Sequence, residues 1–203
     1  MCSRKIQLIR IMKKLLSIAF LIAFTTQAYT HKPILNDNST YPADAPYEIE
    51  KPEISKAIYS TLTGEPHYYR IQSEVDFDFY AGILAAKIGE CSLNSKFSFE
   101  VLDSEFHKIY LADGENFEWT PWYEKFGKQW YWNGPEIGQN FASNEVFKAG
   151  TYYIKVLNNS NTGQYIMAVG DIEKFSFTDI VGLIFSMGDI EDEFWDASKC
   201  SSA

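Results

Sequence analysis

Histidine is scarce in this chain: among 203 residues there are three, His31, His67 and His107. No Gly-x-Ser-x-Gly, no His-Glu-x-x-His and no glycine-rich phosphate loop is present, so the assembled motifs of hydrolase, zinc-protease and nucleotide-binding chemistry are missing. Cysteine is equally rare. Of Cys2, Cys91 and Cys200, only the last two fall in the body of the chain, which permits one disulfide and excludes a cysteine framework. Long apolar runs are lacking too. Residues 15–24 (LLSIAFLIAF) supply ten, short of the ~20 that a spanning helix needs. Positive charge is in deficit, with 18 Lys+Arg against 27 Asp+Glu.

What is present begins with export. Arg4, Lys5, Arg10, Lys13 and Lys14 precede the apolar run, and Thr25, Thr26, Gln27 and Ala28 follow it, the order of a secretory signal peptide. We expect residues 1–28 to be removed, by a cut after Ala28 or after Thr30, and the product to be secreted or periplasmic. No Leu-x-x-Cys pattern closes the run, so no lipid anchor is indicated. The remainder holds 13 Lys+Arg against 27 Asp+Glu, a balance of −14. A surface so acidic excludes nucleic acid and anionic membranes as natural partners. No transmembrane segment is expected in the mature chain.

The body reads as β structure. Residues 29–55, with Pro33, Pro42, Pro46 and Pro52, read as an extended leader. Short alternating runs then recur, around residues 57–62, 68–71, 75–84, 97–101 and 109–112, with turn residues between them. Val75, Phe77 and Phe79 are expected on one face, Asp76 and Asp78 on the other. Residues 149–170 read as a β-hairpin around the polar loop 158–164, with Gly163 at a positive-φ position. Tyr152, Ile154 and Val156, together with Tyr165, Met167 and Val169, are expected in the core. Residues 177–195 switch to helical spacing through Ile180, Val181, Ile184, Met187 and Phe194, with Thr178 as a candidate cap. The fold class is therefore an all-β, antiparallel, jelly-roll-like β-sandwich over residues 56–172. A C-terminal α-helix and tail occupy 173–203.

Three stretches resemble a known family. Glu65-Pro66-His67-Tyr68-Tyr69-Arg70-Ile71 is similar to the early D-x-Y-x-F strand of bacterial pre-peptidase C-terminal domains. Gly150-Thr151-Tyr152-Tyr153-Ile154-Lys155-Val156 resembles their G-T-Y-x-x-x-V strand, and Asn161-Thr162-Gly163-Gln164-Tyr165 their N-x-G-x-Y return. The resemblance implies a small exported sandwich, used as a non-catalytic module beside secreted enzymes. The segment between Asp113 and Phe147 is longer and more aromatic than that pattern.

Candidate chemistry concentrates in that segment. Residues 117–133 hold Trp119, Trp122, Tyr123, Trp130, Tyr131 and Trp132 among charged side chains, with Pro121 and Gly127 marking a folded loop. Large rings with polar tips suit a ligand-facing surface, and planar rings stack on sugar faces. We therefore expect a glycan or protein ligand at the cell envelope. The plain alternative is that these rings fill a satellite core beneath the loop. Paired carboxylates for glycoside hydrolysis arise by chance in a chain this acidic. Asp76 with Asp78, or Asp113 with Glu115, offer oxygen ligands for calcium but match no calcium loop. A cut after Thr30 would leave His31 terminal, and its α-amino group, its ring and the ring of His67 are the candidate ligands of a copper(II) site, with His107 in reserve.

Overall fold

In the computed structural model, which describes residues 31–36, 39–125, 127–174 and 188–200, strands dominate. The described residues form β1 (Lys32–Leu35), β2 (Tyr47–Ile49), β3 (Lys56–Thr63), β4 (His67–Ser73), β5 (Phe77–Phe79), β6 (Ala81–Ala86) and β7 (Ser98–Leu102). They continue through β8 (Lys108–Ala112), β9 (Thr120–Glu124), β10 (Gln129–Ile137), β11 (Glu145–Phe147), β12 (Gly150–Leu157) and β13 (Thr162–Val169). A six-stranded sheet runs β1-β3-β13-β6-β10-β9 and a five-stranded sheet runs β2-β4-β12-β7-β8. β5 and β11 pair separately. Most successive strands change sheet, which is the jelly-roll-like alternation.

The sheets are mixed rather than purely antiparallel. β1 runs parallel to β3, and β2 runs parallel to β4. Part of the presumed leader thus extends one edge of each sheet. Pro33 and Pro46 fit there because an edge position leaves a missing N–H on the solvent side.

The stretch 149–170 is corrected in one respect. β12 and β13 do not pair with each other: β12 lies between β4 and β7, and β13 between β3 and β6. The connection is an arch that crosses the sandwich. The Asn158 carboxamide holds it, accepting from the backbone N–H of Ser160 and Thr162 and donating to the Thr162 carbonyl at 2.8 Å. Gly163 has φ +109°, as its position in the loop suggests. The core assignment stands, because an arch also brings alternating faces together. Ile154 and Val156 meet Tyr165, Met167 and Val169 across the interior, with Tyr152 packed at its margin.

Two apolar layers result. The first fills the space between the sheets, with Ile58, Leu62, Ile71, Ile83, Phe99 and Val101. The second covers the outer face of the six-stranded sheet, where Tyr59, Tyr80, Leu84 and Ile166 meet Ile190 and Phe194. Residues 188–194 are helical and lie over this layer. The rest of the expected C-terminal helix, including Thr178 and the stripe through Met187, lies outside the described residues, as does the expected signal peptide. β13 and β6 are buried on both faces, which explains why their sequences are almost continuously apolar. Val75 departs from expectation: it is 69% exposed, in the bend before β5, while Phe77 and Phe79 are buried.

Candidate functional site

The aromatic segment is not an irregular loop. β9 and β10 form an antiparallel hairpin at the edge of the six-stranded sheet, pairing Tyr123 with Trp130, Trp122 with Tyr131 and Pro121 with Trp132. Aromatic residues on both faces hide the period-two signal that would have identified the strands. The Gly127 N–H donates to the Glu124 carboxylate across the turn, and Lys128 takes the left-handed φ of +56° that closes it.

Alternation divides the six expected ligand-binding residues. Trp122 and Tyr131 face the outer apolar layer: Tyr131 is 8% exposed, and Trp122 packs on Phe141 at 4.7 Å between ring centroids. Trp119 is also buried, and its indole N–H donates to the Gly114 carbonyl at 2.8 Å. Gly134 lies against that ring. A Cβ there would sit 2.5 Å from Cη2 of Trp119 and 2.6 Å from the Ile83 carbonyl oxygen. Trp122 and Tyr131 thus belong to the outer apolar layer, and Trp119 to the core between the sheets. Tyr123, Trp130 and Trp132 share the opposite face. Tyr123 is 39% and Trp130 48% exposed, with ring centroids 5.1 Å apart. Trp132 is half-buried, and the Lys87 ammonium lies 5.5 Å from its ring centroid.

The exposed ring pair has a fixed base. Trp195 packs edge-on against Tyr131 at 5.0 Å, and its indole N–H donates to the Trp130 carbonyl at 2.9 Å. The Tyr59 and Tyr131 hydroxyls share a hydrogen bond of 2.9 Å behind the hairpin. Burial pushes Tyr59 up to about 12 and Tyr131 higher still, so both stay protonated. Cys91 and Cys200 are joined in a disulfide, which fastens the C-terminal segment to the loop after β6. A pocket of about 200 Å³ opens beside it, lined by Leu93, Phe97, Gln164 and Phe194 among others. No sequence signal pointed to Lys87 or the pocket. Trp195 was visible only as part of a helical stripe.

The histidines lie in different layers. His67 sits in the core, where Nδ1 contacts the Tyr165 hydroxyl at 2.9 Å and Ser60 Oγ at 3.2 Å. Tyr69 and Tyr165 share a hydrogen bond of 2.5 Å, and Ser60 accepts from the Asn36 carboxamide. Nε2 of His67 has no hydrogen-bond partner among the described residues. His31 stacks on Tyr80 at 6.3 Å, and its Nδ1 meets Ser55 Oγ at 2.5 Å. Burial lowers both rings to about 4, with Asp171 partly opposing this at His31. The structure thus does not bring His31 and His67 into contact. His107 is exposed beside Asp103 and Glu105.

Of the acids weighed for calcium, Asp76 and Asp113 have protein partners. Asp76 pairs with Lys148 at 2.8 Å and accepts the Ala149 N–H. Asp113 accepts from Asn116 and from the Glu115 N–H, closing a turn.

Neither a family model nor a curated protein matches the chain. Among solved structures it is similar to the pre-peptidase C-terminal domain of collagenase from Bacillus anthracis. That likeness has a TM-score of 0.35 and 12% identity, and covers 66% of this chain and 98% of that one. It is also similar to a β-glucosidase from Paenibacillus barengoltzii, with a TM-score of 0.26 and 11% identity, covering 71% of this chain and 13% of that one. The first belongs to the family that the strand motifs of this sequence resemble. Both likenesses concern the fold alone and assign no ligand, substrate or activity.

Proposed function

We propose that this chain is an exported, non-catalytic binding module that takes a carbohydrate on the ring pair Tyr123 and Trp130. One observation carries the reading. These two large rings stand side by side at the surface of a hairpin whose other face is packed, and a packed hairpin keeps a stacking surface open without further ordering on binding. Sugar rings present apolar C–H faces to such a surface, while Lys87 and the Tyr123 hydroxyl offer donors to the hydroxyls at their rims. The N-terminal signal directs export in this reading. The Cys91–Cys200 bridge suits an oxidising compartment.

Affinity electrophoresis through gels containing cell-wall or extracellular polysaccharides tests this. Retardation in at least one gel is expected, together with its loss in Trp130→Ala. No retardation in any polysaccharide, with binding to envelope protein instead, would replace the carbohydrate reading by a protein-binding one.

A further inference from the structure

One seam of the six-stranded sheet stops short. β6 and β13 pair from Ala81–Val169 to Leu84–Ile166 and no further, although β13 continues to Thr162 along β3 and β6 continues to Ala86 along β10. Backbone direction identifies the rung that is not made. The Lys87 N–H donates to the Trp130 carbonyl at 2.9 Å, so Lys87 and Ala85 turn their backbone groups toward β10, while Leu84 and Ala86 turn theirs toward β13. Leu84 pairs with Ile166, and in the same register Gln164 would fall opposite Ala86. The ladder does not join those two residues. Both line the pocket of about 200 Å³ beside the disulfide. Its walls include the buried rings of Phe97 and Phe194 and the exposed residues Ser92 and Asn94. Lys199, the one charged lining residue among those described, donates to the Glu193 carbonyl at 2.6 Å.

We propose that this pocket takes the acetamido group of an N-acetylated amino sugar. An unmade rung leaves a backbone N–H and C=O on each of two strands, and such groups call for partners. A trans secondary amide is the complement, because it is flat and carries one acceptor and one donor on opposite sides. Its methyl group would lie against Phe97 and Phe194, and the hydroxyls of its sugar would meet Ser92 and Asn94 at the opening. A volume of about 200 Å³ suits one such group with part of its ring rather than an added β-strand. The ligand is neutral in this account, since no carboxylate lines the pocket and the Lys199 ammonium is engaged. The choice of a sugar over a peptide amide rests on the carbohydrate reading above. The pocket itself shares no residue with the Tyr123 and Trp130 pair.

Amide-resolved NMR titration of the purified chain with N-acetylglucosamine tests the proposal. Saturable shifts are expected at the backbone N–H of Ala86 and Gln164. Glucosamine and glucose, which lack the amide, should bind at least about tenfold more weakly. Ser92→Trp, at an exposed position, should block the pocket, with thermal unfolding confirming that the variant folds. Trp130→Ala should keep the shifts. Equal binding of glucose overturns the proposal. So does preference for N-acetylalanine methylamide over the sugar, which would make this a peptide site. Retardation by a polysaccharide without shifts at Ala86 and Gln164 overturns the pocket and leaves the ring pair standing. Shifts there without retardation in any gel support the pocket and remove the ring pair.

Discussion

The indole N–H of Trp195 donates to the backbone carbonyl of Trp130 at 2.9 Å, so the exposed Trp130 ring hangs from a strand anchored by the C-terminal segment. Cys200 lies five residues beyond Trp195 and is bonded to Cys91. The ring pair therefore stands on three parts of the chain: its own hairpin, the covering helix at 188–194, and a covalent tie.

Loss of that tie should be felt at the site as well as in stability. The bridge spans a sequence separation of 109 residues, and closing a loop of that length stabilises by about 2–5 kcal/mol. Cys200→Ser should lower the urea midpoint accordingly and increase acrylamide quenching of tryptophan fluorescence. A midpoint equal to that of the wild type would show that packing alone holds the C-terminal segment.

Ile154 reports on the core. It is fully buried between the sheets, so Ile154→Ala should cost about 2–5 kcal/mol in equilibrium unfolding. Leu111→Ala, on an exposed edge, should cost under about 0.5 kcal/mol. Equal losses at the two positions would contradict the assignment of faces.

Gly134 is constrained by its neighbours rather than by its backbone angles. Gly134→Ala drives a methyl into the Trp119 ring and the Ile83 carbonyl, an overpacking that should cost about 1–3 kcal/mol. Chemical denaturation measures it. A neutral result would mean that both the Trp119 ring and the Ile83 backbone give way.

Acid should weaken the fold through its histidines before its carboxylates. Burial holds His67 and His31 at about 4, below the ordinary histidine value of about 6.5. The unfolded chain then binds more protons between those two values, so stability is complete above about pH 6.5 and falls as pH drops toward 4. One such ring contributes at most about 1.4 kcal/mol per pH unit. His67→Asn, which keeps a polar atom near Nδ1, should roughly halve the slope of the urea midpoint between about pH 6.5 and pH 4, the remainder coming from His31. A slope unchanged from the wild type would place the effect elsewhere.

Alternation along β12 and β13 was enough to read which side chains are buried, because burial depends on the face of a strand. It could not reveal the strand's hydrogen-bond partner, which is why a crossing arch read as a hairpin. The opposite error befell residues 120–133. There the hairpin was real, but rings on both faces erased the period of two. Six rings looked equivalent in sequence. Tyr123 and Trp130 differ from Tyr131 and Trp119 only through what the helix, Gly134 and Trp195 place against them, and those contacts span up to 65 residues of chain.

Tryptophan fluorescence during titration with a polysaccharide that retards the chain tests the central claim most directly. The account predicts a saturable shift, protection from acrylamide, and affinity lowered roughly tenfold or more in Trp130→Ala, equivalent to ~1.4 kcal/mol. Trp122→Phe, behind the hairpin, should leave the affinity nearly unchanged. Undiminished binding by Trp130→Ala would contradict the account, because the exposed ring would then have no part in holding the ligand.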